Sequence, residues 1–168
     1  MQRDAPPPVC PVGGIRPLTA GEVALARSMF GAAIDYARVT IRRRRFLPFQ
    51  SRRVTMAPMG HLHFHPDAAH YCDDFALAPL TLQAHFIHEM THVWQTQTHG
   101  HWYLVTRRHP WCRYDYALKP GWRLERYGIE QQAEIVRHAF LLRRGAWVAG
   151  VADAAAYDRL VDFGSRSS

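Results

Sequence analysis

A chain of 168 residues, 48% hydrophobic and 21% charged, suits one domain with its own core and leaves little room for a second. Its formal charge of +7 comes almost entirely from arginine, with Lys119 the only lysine. No apolar run reaches the ~18 residues of a membrane span. Three cysteines, Cys10, Cys72 and Cys112, share no metal-ligand spacing and cannot complete a disulfide framework. A reduced cytoplasmic protein is the simpler reading, with a Cys72–Cys112 pair as the alternative.

Residues 1–17 are rich in Pro and Gly and lack an apolar signal-peptide core, so they read as a flexible arm or surface strap. An exported protein of this kind would travel without a cleaved signal peptide. The domain is expected over 18–163, with 164–168 a frayed tail. The window 19–45 reads as one helix, with Arg42, Arg43, Arg44 and Arg45 at its end. There the helix dipole favours cations, a reading preferred over contact with nucleic acid, an anionic membrane surface or an acidic partner. No nucleic-acid-binding motif accompanies the cluster. Residues 53–56 and 61–64 read as short strands around Pro58, Met59 and Gly60. The second strand alternates, with His61, His63 and His65 on a face that is expected to be exposed or to meet substrate, rather than to form a second metal site.

Residues 80–98 predict a long helix. Pro79 stands at its start and Gly100 follows it, with no Gly or Pro between. Inside it lies His88-Glu89-Met90-Thr91-His92. Helical residues four apart share a face, so His88 and His92 can direct two imidazoles at one Zn²⁺. Glu89 can reach a water on that metal and act as general base.

The connection 100–122 carries Trp102, Tyr103, Trp111, Tyr114, Tyr116 and Trp122, with Arg107, Arg108 and Arg113. It reads as a lid or binding loop, or as the cap of a small core. A second helical window, 124–144, contains Glu130-Gln131-Gln132-Ala133-Glu134. One of its two glutamates can complete a two-His zinc site, and the other can accept a hydrogen bond from a ligand histidine. Tyr127 and His138 fall near the same face as candidate oxyanion donors, with Tyr114 and Tyr116 competing for that role.

H-E-M-T-H followed by E-x-x-A-E resembles the gluzincin branch of the zincin metallopeptidases. That resemblance implies Glu130 as third zinc ligand and Glu134 as the acid supporting a ligand histidine, although the group usually has Asp at the second position. It also implies a sheet edge beside the active helix that binds peptide as an added strand, for which 61–64 is the candidate. The runs F-I-H-E-M-T-H-V-W-Q, R-Y-D-Y and Y-G-I-E-Q-Q-A-E-I-V resemble small bacterial Vgr-related or Rhs-related proteins. The likeness covers about 18–144 and implies an association with type VI secretion or polymorphic-toxin systems. The expected fold is α+β and helix-dominated, a minimal zincin-like core with a small sheet beside the active-site helix. The expected function is zinc-dependent hydrolysis of a peptide or protein substrate. The alternative is a non-catalytic zincin-fold module that docks on a secretion component or another partner protein.

Overall fold

The computed structural model describes residues 9–107, 114–151 and 153–163. Within them the chain is α+β, with five α-helices and one three-stranded sheet. Cys112, Trp111, Arg108, Arg113 and the expected tail at 164–168 lie outside the described residues, as does 1–8 of the expected arm. The rest of that arm is not a free strap throughout: Ile15–Pro17 is strand β1.

Strand β1 leads directly into helix α1, Ala20–Phe30. Thr19 caps it. The Thr19 hydroxyl accepts from the Glu22 N–H at 3.0 Å, and Glu22 Oε2 accepts from the Thr19 N–H at 2.9 Å, so two otherwise unpaired donors of the first turn are satisfied. Glu22 is fully buried and does more than cap. It accepts a fork of hydrogen bonds from buried Arg16, at 2.7 and 2.8 Å, and a third from the Phe75 N–H at 3.0 Å. One carboxylate therefore ties β1, α1 and the segment before the long helix together.

The single helix expected over 19–45 does not form. Helix α1 stops at Gly31, whose φ of +53° is accessible to glycine at little cost. A 3₁₀ turn at Tyr36–Arg38 follows, and then the β-branched run Val39-Thr40-Ile41 enters strand β2, Thr40–Arg42. The arginine cluster is thus at the end of a strand, not at a helix C-terminus. Arg43 lies over the Tyr71 ring at 4.7 Å and donates to the Cys10 and Pro66 carbonyls.

Strand β2 is central in the sheet. It pairs antiparallel with β1, Arg16 opposite Ile41, and parallel with β3, Leu62–His63. The expected histidine face is also different. His63 and His65 are buried, as are Leu62 and Phe64, so both sides of this strand face protein. Its outer edge is taken at His63 by Met56, through reciprocal backbone bonds of 2.7 and 3.1 Å. At that position no peptide can add as a further strand.

The core runs from the sheet through the stacked rings of Phe64, Phe75 and Phe86 into helix α2, Leu80–His99. A short helix α3, Trp102–Arg107, follows. Helix α4, Ile129–Arg143, lies along α2 in the most extensive contact between elements, and α5, Ala154–Leu160, packs on α4. The expected window 124–144 is therefore split. Leu124–Arg126 is a 3₁₀ turn, Tyr127 and Gly128 are extended, and α4 begins at Ile129. Gln131 accepts from the Gly128 N–H at 3.0 Å and fixes this start. Tyr116 and Trp122, from the aromatic connection, pack against the core.

Two measurements test this frame. Arg16→Met should strand the buried Glu22 charge and cost about 3–5 kcal/mol, seen as a lower urea midpoint with unchanged slope; an unchanged midpoint would remove Glu22 as the organising tie. Buried His63 is pushed down to about 4, first by burial and then by the charges of Arg42, His61 and Arg44. Between that value and the ordinary one near 6.5, the unfolded chain binds a proton that the folded chain refuses. Stability should fall as pH drops through this window, by about 2–3 kcal/mol more in the parent than in His63→Leu. Parallel stability curves for the two proteins would contradict this.

Candidate metal centre

Helix α2 carries the first motif because nothing in residues 80–99 interrupts it. Pro79 supplies an extended entry, and Gly100, at φ +92°, closes the helix with its N–H on the Thr96 carbonyl at 2.9 Å. Residues 86–96 are buried without exception. His88 and His92, one turn apart, face the start of α4, where Glu130 occupies the first turn.

These three side chains meet. His92 Nε2 is 3.2 Å and His88 Nε2 is 3.5 Å from Glu130 Oε2. The three ligand atoms lie within 4.8 Å of one another, and all three residues are buried. Nitrogen and oxygen donors set tetrahedrally around zinc would stand ~3.3 Å apart, given bonds of roughly 2.0–2.1 Å. Two of the contacts match that spacing. Among the described residues His92 Nε2 is buried without a hydrogen-bond partner, which is costly unless something else meets it.

The second ring nitrogens are held as well. His88 Nδ1 is 2.9 Å from Glu134 Oε1. His92 Nδ1 is 2.9 Å from the Gln95 carbonyl oxygen. The Gln95 amide nitrogen donates to the Ile129 carbonyl at 3.0 Å and to Gln132 Oε1 at 2.9 Å, while Gln132 donates onward to the Tyr127 carbonyl at 2.8 Å. Both Gln95 hydrogens are therefore committed, so its oxygen must accept, and His92 must donate from Nδ1. In the neutral ring this leaves Nε2 bare and directed at Glu130. A bare nitrogen against a carboxylate is the arrangement that a cation between them relieves.

Electrostatics at His88 point the same way. Burial lowers its basicity, but the hydrogen bonds it donates to Glu130 and Glu134 and the nearby Glu89 charge outweigh this and raise it to about 9. Burial pushes Glu134 up, but its bond to His88, with Arg137 and His138 nearby, brings it below the usual carboxylate range. Arg137 reaches Glu134 at 3.0 Å. Positive charge is strongly favoured at this point in the fold.

Glu89 is buried beside the ligand pair. Its Oε2 has no hydrogen-bond partner among the described residues, and its Oε1 lies 3.9 Å from His85 Nε2. The two expected oxyanion donors are placed elsewhere. The Tyr127 hydroxyl accepts from the Lys119 N–H at 2.8 Å, and its ring packs on Trp122 and Tyr116. His138 lies behind Glu134, its Nε2 3.5 Å from Glu134 Oε2 and its Nδ1 against the Tyr116 hydroxyl. It is thus on the Nδ1 side of His88, opposite the nitrogen that faces Glu130. Gln95, Gln132, Thr55, His70 and His85 are neighbours of the site that the motifs alone do not reveal. The one local signal is Gln95, a polar residue three positions after His92.

No protein-family model matches this chain. A type VI secretion system spike protein of Pseudomonas aeruginosa, VgrG2b, is 42% identical over 133 residues, which are 75% of this chain. The match spans 13% of that much longer protein. Among solved structures, the effector domain of Pseudomonas aeruginosa VgrG2b superposes with a TM-score of 0.69 at 36% identity, covering 87% of this chain and 83% of that domain. The chain belongs to the family of the VgrG2b effector domain.

Proposed function

We propose that the protein is a zinc-dependent peptidase, a gluzincin-like member of the zincins, delivered as a secretion-system effector. The observation that carries this reading is the buried His88–His92–Glu130 group with Glu89 adjoining it. Two imidazoles and one carboxylate are a donor set that suits zinc and leaves room for water. Zinc bound there would polarise a substrate carbonyl and bring the pKa of a water molecule toward neutrality.

The remaining work belongs to the chain. Glu89 accepts a proton from the attacking water and returns it to the departing amine nitrogen, so that the amide C–N bond breaks with its proton balance closed. Its buried carboxylate adjoins the two histidines, where a base for the attacking water is needed. Glu134 and Gln95 hold the His88 and His92 rings in the orientation that presents Nε2. His138 and Arg137 hold Glu134 in turn. The substrate is a peptide or protein, and the partner that carries the domain is a secretion-system component, as the spike-protein relative suggests. Export by such an apparatus needs no cleaved signal peptide. No helix among the described residues is long and apolar enough to cross a membrane.

Glu89→Gln should retain zinc and lose about 10²–10⁴-fold in peptide hydrolysis, measured on a casein digest with metal content determined on the same sample. Equal turnover would remove Glu89 as the base. A zinc-loaded parent with no hydrolysis of any peptide pool would favour the non-catalytic binding module. Gln95→Leu should weaken zinc binding by about 10–100-fold while the helical circular-dichroism signal stays unchanged. Equal affinity would show that the buried amide network does not set the His92 ring.

A further inference from the structure

Three segments distant in sequence meet beside Glu89. Thr55 follows the arginine-rich loop, His70 lies between the sheet and α2, and His85 sits in α2 one turn before Glu89. The Thr55 side chain is buried, and its Oγ1 is 2.9 Å from His70 Nε2 and 2.8 Å from His85 Nε2. The two rings pack edge to face, 5.0 Å apart, and His85 lies nearly parallel to His88 at 6.5 Å.

Proton counting restricts this cluster. A hydroxyl has one hydrogen to give and can accept two. Among the described residues, Thr55 Oγ1 has hydrogen-bond contacts with these two nitrogens alone. Its hydrogen must go to one of them, so one Nε2 is bare and the other carries N–H. A neutral imidazole has one N–H to place. Glu89 Oε1, 3.9 Å from His85 Nε2, breaks the tie. A bare nitrogen facing a carboxylate is repelled, and an N–H facing it is attracted. The chain therefore runs from the His85 N–H to the Thr55 hydroxyl, and from that hydroxyl to the bare Nε2 of His70.

We propose that His85 is a positioning residue for the Glu89 carboxylate, with its tautomer fixed by the hydroxyl of Thr55 and by His70. This rests on the peptidase reading for its consequence in catalysis, but not for the hydrogen-bond chain itself. With its N–H directed at Thr55, the His85 ring presents a positive edge to Oε1 at 3.9 Å, which leaves Oε2 as the oxygen not engaged by the ring. This pairing also explains a buried hydroxyl at Thr55, between two half-buried histidines.

The test uses histidine-¹⁵N-labelled, zinc-loaded protein, with the rings assigned from His70→Gln and His85→Gln spectra. Long-range proton–nitrogen correlation should show hydrogen on Nε2 of His85 and on Nδ1 of His70. Thr55→Ser, which keeps the hydroxyl, should preserve both. Thr55→Val should lose the fixed pairing, keep its zinc, and cut kcat on fluorescein-labelled casein by about 10–100-fold with KM within about twofold. Reversed tautomers in the parent, or a Thr55→Val protein with unaltered ring nitrogens or unaltered kcat, would overturn the proposal. Zinc-loaded parent protein that leaves casein intact would count against the peptidase reading, while the nitrogen shifts still decide the chain.

Discussion

The Glu130 carboxylate, buried where α4 meets α2, stands 3.2 and 3.5 Å from the Nε2 atoms of two histidines. A carboxylate and two ring nitrogens at that separation call for positive charge among them, whether a proton on His88 or a metal ion. The fold does not relieve this by turning a ring away. Gln95 and Glu134 hold both imidazoles by their Nδ1 atoms, so Nε2 stays pointed at the carboxylate. The packing of two helices thereby assembles a group that could hold a cation.

Much of the remaining structure secures that pairing. Gln95 bonds to the Ile129 carbonyl and to Gln132, so α2 and α4 are pinned at the level of the site by buried amides, not by apolar contact alone. The Phe64–Phe75–Phe86 stack fixes α2 against the sheet. Glu22, bonded at once to Arg16, Thr19 and the Phe75 N–H, fixes the segment that leads into α2. Buried polar networks of this kind are worth having only when each member is satisfied. Glu89 Oε2, beside the two histidines, is a buried carboxylate oxygen without a hydrogen-bond partner among the described residues, and it belongs to the residue proposed as the base.

What the sequence revealed followed from how local each pattern is. His88, Glu89 and His92 were legible because helical spacing over five residues needs no tertiary information. Glu130 and Glu134 are legible as a pair, but their division of labour comes from resemblance; in the fold Glu130 stands at Nε2 of His88 and Glu134 at its Nδ1. The helical pattern over 19–45 is broken by Gly31 and by the β-branched run at Val39, which favours a strand. Alternation at His61, His63 and His65 was real, but it cannot tell a strand covered on both sides from a half-exposed one. Tyr127 and His138 were placed by helical spacing across a break at Gly128 that moved Tyr127 off the helix. The Thr55, His70 and His85 cluster was out of reach, since only the folded chain brings those segments together.

Metal content, measured by elemental analysis on the parent and on His92→Ala purified side by side, tests the central claim most directly. The account predicts close to one zinc per chain in the parent, retained through dialysis, and its loss in the variant with the helices intact. A folded parent that holds no zinc even after addition of the metal would contradict it.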